Sequence, residues 1–438
     1  MSAPDPAAEP RAGARESLRS EAWVWLRIGC LSFGGPAGQI ALMQRMLVDE
    51  LRWITPRRFL TGLDLCMLLP GPEAQQLATF VGWTRHGWRG GVVAGGLFVL
   101  PGALLMLALS ASYVLWGTLP AVAALFGGVQ CAVVVIVAEA LVRIGRRAIG
   151  SPGALAIAIL AFAALALFGV PFPLVVIGAA AVGILIGSRE PVREREAPAH
   201  TAGTTGRRAA LPALVAAGVW LLPLVALFAI LGPEALPVRI ALQFGELAIV
   251  SFGGAYALLA AIAERAVADG WLTAPQMADG LALAETTPGP LILVLQFVAF
   301  VTAHGATPTA RLAAGLFASA IALWALFPPS FVWIFLAAPH LDRVDRSPVL
   351  RRAVRGVTAA VVGVIFHLTL WFALHVLFER LERLRWGSIS MQVPALASVD
   401  WAAAAITVVC ALLLFLGRQS IARTLLVAAL LGGCRAIL

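Results

Sequence analysis

SFGGP at residues 32–36 recurs as SFGGA at 251–255, each time inside a long apolar stretch. Adjacent glycines weaken a helix, and a following proline cannot continue its hydrogen-bond ladder. A second pair of breaks follows in the same order, LLPGPEAQQ at 68–76 and ETTPGPL at 285–291. Between these breaks, WIT at 53–55 matches WLT at 271–273, and Gly62-Leu63 matches Gly280-Leu281. Further on, His86-Gly87 matches His304-Gly305, Gly-Leu-Phe recurs at 96–98 and 315–317, and GGVQCAVV (127–134) resembles RGVTAAVV (355–362). Ordered matches over so long a stretch mark an internal duplication.

The chain around these motifs has 438 residues, 60% hydrophobic and 13% charged. A soluble domain is nearer half apolar and a quarter charged. Residues 153–187 hold no charge at all, and about 20 apolar residues suffice to cross a bilayer. The expected class is therefore an all-α polytopic membrane protein with the lipid bilayer as its surroundings. All 32 basic residues are arginine and the formal net charge is +9. These arginines sit in short loops between apolar runs, which is topology information and argues against a nucleic-acid partner. The five cysteines form no CxxC pair, so neither a disulfide framework nor a metal site is expected. Residues 1–20 are polar and lack an apolar core, so no cleavable signal peptide is expected. HExxH, Walker A and GxSxG patterns are missing. No catalytic residue or cofactor is expected.

The polar stretch 188–210 divides the chain near its middle. The expected organisation is a cytoplasmic tail (1–20), a first membrane repeat (21–187), a cytoplasmic linker (188–210), a connecting helix (211–232) and a second repeat (239–438). Counting apolar segments gives six before the linker, one after it and six more. An odd number of crossings between the copies inverts the second, a common transporter design with its site at the repeat interface. The positive-inside rule then puts the N-terminus in the cytoplasm and the C-terminus in the periplasm. Two loops resist simple counting: 45–58, rich in arginine, and 379–385, with three arginines on the outside. If the segments broken at GGP and PGP dip in and return, loop 45–58 stays cytoplasmic; about ten helical residues per side span ~15 Å, half the hydrocarbon.

A helix broken inside a membrane leaves backbone N–H groups at the positive end of a half-helix dipole, and in lipid these need a partner. An anion suits them. The candidate substrate-binding residues are Ser32, Gly34, Gly35, Pro36, Pro70, Gly71, Pro72, Gln76, Ser251, Gly253, Gly254, Thr287, Pro288, Gly289, Pro290 and Gln296. Thr286 and Gln75 add further donors, and Arg27 is the candidate cation. Arg27 corresponds to Glu246 in the second copy, and a structural salt bridge between those two is an alternative. Glu73 and Glu285 flank the PGP turns and are candidates for proton coupling. Glycine and proline are also common in membrane helices for packing alone; four breaks arranged as two duplicated pairs argue for more than packing.

SFGGPAGQIALM (32–43), LLPGPEAQQLATFVGW (68–83), HGWRGGVVAGGLFVLPG (86–102), SFGGAYALLA (251–260), AETTPGPLILVLQFVAF (284–300) and RGVTAAVVGVI (355–365) together resemble the chromate transporter family, long-chain type, with two homologous halves in one chain. One departure is Ala255-Tyr256 where the first copy has proline after Gly-Gly. The resemblance implies chromate export across the bacterial inner (plasma) membrane and chromate resistance, with sulfate as the structural mimic. The alternative within that class is a permease for sulfate or another tetrahedral oxyanion. Assembly as a homodimer stays open.

Overall fold

The computed structural model describes residues 17–33, 35–186, 206–250, 255–340, 347–386 and 389–435. The first half begins with α1 (Leu18–Leu31), started by Ser17, whose side chain accepts from the Ser20 N–H. That cap sets the helix start a turn inside the stretch read as tail. After the break at 32–34 come α2 (Gly35–Met43), a widened turn (Gln44–Glu50) and α3 (Pro56–Leu68). Next is α4 (Glu73–Trp116), which doubles back at His86 and Gly87, where the φ of Gly87 is 60°. Then follow α5 (Pro120–Ala148), α6 (Pro152–Ala166) and α7 (Phe172–Ile186).

Past the divide, α8 (Gly206–Leu231) starts inside the stretch read as linker. The second half runs α9 (Leu236–Val250), α10 (Ala255–Ala268), α11 (Ala274–Thr286), α12 (Val294–Ala306) and α13 (Arg311–Leu326). It continues with α14 (Pro328–Ala337) and α15 (Pro348–Leu377). The loop expected at 379–385 instead forms a hairpin of β1 (Leu381–Trp386) and β2 (Ile389–Pro394), so the helices are joined by one small sheet. ISMQV at 389–393 alternates apolar and polar residues, the period of a strand, and LRW at 384–386 does the same in the strand it pairs with. The last helices are α16 (Trp401–Ala411) and α17 (Ile421–Arg435).

Among the described residues, five stretches are long and apolar enough to cross a bilayer: α4, α5, α8, α13 continued into α14, and α15, with almost nothing of α8 buried. The chain is a polytopic, all-α membrane protein of two halves whose helices break at the GGP and PGP motifs. The halves interlock by exchange. Helices α6 and α7 of the first half lie on α15 of the second, while α16 and α17 lie on α5. Glycines set both crossings: Gly183 meets the Gly356 backbone, and Gly128 meets Gly432. Gly128 and Gly356 are equivalent positions of the duplicated GGVQCAVV and RGVTAAVV motifs. Corresponding local devices also recur. Thr55 and Thr273 cap α3 and α11, and Gly62 and Gly280 abut Phe80 and Phe297.

Candidate functional site

Each PGP turn needs a left-handed glycine: φ is +123° at Gly71 and +96° at Gly289, a region costly for other residues. The second turn lies against the first half. Gly289 N–H donates to the Ser32 carbonyl at 2.9 Å, and Gln39 Nε2 donates to the Gly289 carbonyl at 2.5 Å. Gly102 of α4 touches the same turn; a Cβ there would collide with the Pro288 carbonyl oxygen. The first half's GGP break is thus bonded to the second half's PGP turn. Gln296 Nε2 reaches across as well, donating to the Ala103 carbonyl at 3.0 Å.

The first turn faces the second half in the same manner but with different chemistry. Gln76 Nε2 donates to the Pro70 carbonyl at 2.6 Å and closes the turn on itself. Beside Gly71 stands Ser330 of α14, whose Oγ would lie 2.8 Å from an added Cβ. Ser330 Oγ, both amide atoms of Gln75 and Gln76 Oε1 are buried and have no protein partner. Buried polar groups are nearly always satisfied, so a cluster of four exceptions at one helix break marks a place for a polar ligand or water. The N-terminus of α4 points its free amides here, with Glu73, half-buried, in its first turn. At the second turn, Glu285 Oε1 accepts from the Tyr256 hydroxyl at 2.6 Å, while Glu285 Oε2, Gln39 Oε1 and Gln296 Oε1 remain unpartnered.

The family model described as "Chromate transporter" matches residues 20–184 and 238–434, one stretch in each half. The chain belongs to the chromate transporter family. A chromate transport protein of Pseudomonas aeruginosa is 35% identical over 83% of this chain and 82% of its own length. A probable chromate transport protein of Synechococcus elongatus is 30% identical over 80% of this chain and 83% of its own. One from Cupriavidus metallidurans is 29% identical over 83% and 86%. No solved structure matches.

In this chromate transporter family member, the residues singled out from sequence have unequal fates. Gly34, Ser251, Gly253 and Gly254 lie outside the described residues. Gly35, with φ +67°, and Pro36 open α2. Several expected ligand donors are occupied: Ser32 Oγ donates to the Ile28 carbonyl, Thr287 Oγ1 to Ala284, and Thr286 Oγ1 to Ala282 and Leu283. A short hydroxyl in an apolar helix finds its own preceding carbonyls first. Arg27 lies on the exposed face of α1, and Glu246 pairs with Arg265 at 3.8 Å rather than with Arg27. Among the described residues the buried arginine is Arg85, 4% exposed, paired with Glu21, 1% exposed, at 2.5 Å, with Arg85 stacked over the Trp53 ring and His86 also against Glu21. Sequence reading passed over Glu21, Arg85, Gln39 and Ser330 because the groups they lie beside are far along the chain. Asp279 was equally missed, although it adjoins the Gly280 that anchors the repeat.

Proposed function

We propose that this protein exports chromate across the bacterial inner membrane and so confers chromate resistance. Its halves lie in inverted orientation, with the N-terminus cytoplasmic and the C-terminus periplasmic. The observation that carries this reading is the set of unpartnered polar atoms at and just after the first PGP turn: Ser330 Oγ beside Gly71, Gln76 Oε1, and Gln75 in the first turn of α4. It offers neutral donors and a helix-dipole end to a small anion, as tetrahedral oxyanions require. The relatives named as chromate transport proteins supply the substrate. Gly35 and Pro36, residues 70–72 and 288–290, and Gln76 and Gln296 frame the passage between the halves.

Direction follows from charge. A dianion leaving a cell that is negative inside gains ~2.3 kcal/mol per charge per 100 mV. Glu73 and Glu285 are the proposed proton-coupling carboxyls. Ionised Glu73 competes with the anion for the positive end of α4; protonated, it yields that place. The test is uptake of labelled chromate into everted vesicles, with and without a proton gradient at fixed potential. Uptake above vesicles lacking the protein is expected, stimulated by the gradient; equal uptake overturns the reading. Sulfate accumulated in place of chromate identifies a permease for another tetrahedral oxyanion.

A further inference from the structure

The chain contains two tyrosines, and each donates a hydrogen bond to a buried acid of α11. One pair, Tyr256 with Glu285, belongs to the second PGP turn. The other lies six positions earlier, about 9 Å along the helix axis, away from every glycine-proline break. Asp279, 4% exposed, accepts from the Tyr113 hydroxyl at Oδ2 and from Gln130 Nε2 at Oδ1, both at 2.8 Å. Asp279 belongs to the second half; Tyr113 of α4 and Gln130 of α5 belong to the first. Phe126 and Phe297 flank the Tyr113 ring at 5.3 and 5.0 Å.

Among the described residues, no cation compensates the carboxyl. From the elements packed against α11, the groups that meet Asp279 are Tyr113 and Gln130. Glu139 and Arg143 of α5 and Tyr256 of α10 act on Glu285 at the far end of the helix. Among the described residues, no arginine or histidine of α12, α15 or α17 pairs with Asp279. A carboxylate buried in hydrocarbon is expensive and tends to be functional. Two neutral donors hold the ionised form in place, and a phenol also accepts, so Tyr113 serves the protonated form after one rotation.

We propose that Asp279 is a proton-binding site at the interface of the two halves, with Tyr113 and Gln130 as positioning residues, and that its protonation is linked to movement of one half against the other. Ionised, it ties α11 to α4 and α5 by two charge-assisted bonds; taking up a proton weakens both. The inference builds on the transport reading, and the experiment separates their failures. Full-length protein and its Asp279→Asn and Tyr113→Phe variants are reconstituted in proteoliposomes. Chromate flux is read at clamped potential with and without a pH gradient, and chromate–chromate exchange at equal pH. Infrared difference spectra between acidic and alkaline pH, in H2O and D2O, follow the carboxylic C=O band.

The expected result is a titrating C=O band in the wild type that Asp279→Asn removes and Tyr113→Phe shifts in midpoint. Asp279→Asn also loses the gradient-driven part of the flux while exchange persists. Gradient stimulation retained in Asp279→Asn overturns the proposal. If that variant does not fold, a wild type without a titrating band, or a band whose midpoint Tyr113→Phe leaves unmoved, overturns it equally. A wild type that moves no chromate yet shows the Asp279 band sinks the transport reading and leaves the proton site standing.

Discussion

The two PGP turns share three residues and a left-handed glycine, yet only the first has side-chain donors to spare; among the described residues, the second leaves only the acceptor oxygens of Gln39, Glu285 and Gln296 unpartnered. At the second turn, Gly289 is bonded on both sides, to Ser32 and Gln39, and Gln296 spends its amide N–H on Ala103. At the first turn, Ser330 stands beside Gly71 and Gln75 lies in the first turn of α4, both with no protein partner. The Trp corners diverge as well. Trp53 sits under Arg85 in a buried ion pair; its counterpart Trp271 has Arg239 at 5.9 Å, paired with the exposed Asp269 at 3.8 Å. Duplication supplied two copies of one frame. One copy became the joint between the halves, and the other kept its donors open.

The largest effect should come from prying that joint. Gly102→Val puts a branched side chain into the Pro288 carbonyl, which is backbone and cannot rotate away. Complete loss of chromate transport in vesicles is expected, with about 1–3 kcal/mol of overpacking strain. Gly96, on the same helix but with open space around its Cβ position, is the control; Gly96→Val should transport normally. Equal activity in both variants would break the comparison.

Next in size are the Trp corners. Arg85→Ala strands the Glu21 carboxylate in the interior, which costs about 3–5 kcal/mol. Arg239→Ala removes a partly exposed pair and a distant ring contact, within about 1 kcal/mol. Thermal unfolding in detergent should therefore rank Arg85→Ala far below Arg239→Ala. Adding Glu21→Gln to Arg85→Ala should recover part of the loss, since no charge is then left unpaired.

Gln75 and Gln296 probe the two turns for function. Gln75→Leu removes two buried atoms that no protein group satisfies, so the fold should be unharmed or slightly more stable. If Gln75 meets the anion, losing its bond raises KM for chromate roughly tenfold, the equivalent of about 1.4 kcal/mol. Gln296→Leu should show the reverse: about 1–3 kcal/mol less stability, because the Ala103 carbonyl loses its partner. An unchanged KM in Gln75→Leu would move the site away from the first turn.

Much of the frame was legible in the sequence because it is local. SFGG and PGP mark helix breaks by backbone chemistry alone, and both turns stand where glycine and proline put them. The reciprocal lodging of α6 and α7 against α15, and of α16 and α17 against α5, was not legible. It depends on Gly128, Gly183, Gly356 and Gly432 meeting across the chain. The site was harder still. Ser32 and Thr287 look like ligand donors in a list of residue types, yet helical geometry offers each a carbonyl of its own helix. Gln39, Ser330 and Asp279 gain meaning only from what the other half brings beside them. The hairpin at 381–394 was hidden by its arginines, which read as a solvated loop.

The smallest difference is at the helix starts that follow α5 and α15. Ser151 caps α6, accepting from the Ala154 N–H at 3.2 Å; Asp400 caps α16, accepting from Ala403 at 3.0 Å. Asp400 also meets Arg435 at 2.8 Å. Partial burial opposes ionisation of Asp400, but the Ala403 N–H and the Arg435 guanidinium outweigh it and hold the carboxyl below its ordinary value of 3.8. A depressed carboxyl contributes stability that is present in full above its unfolded pKa and lost as pH falls through the folded one. Ser151→Ala and Asp400→Ala should each cost about 1 kcal/mol at neutral pH. On acidification, the gap between wild type and Asp400→Ala should hold until the medium reaches 3.8 and shrink below it, whereas the Ser151→Ala gap should not move. Other carboxyls titrate alike in both variants and cancel in that comparison. Parallel gaps down to strong acid would mean that the Asp400 cap is held by its geometry and not by its charge.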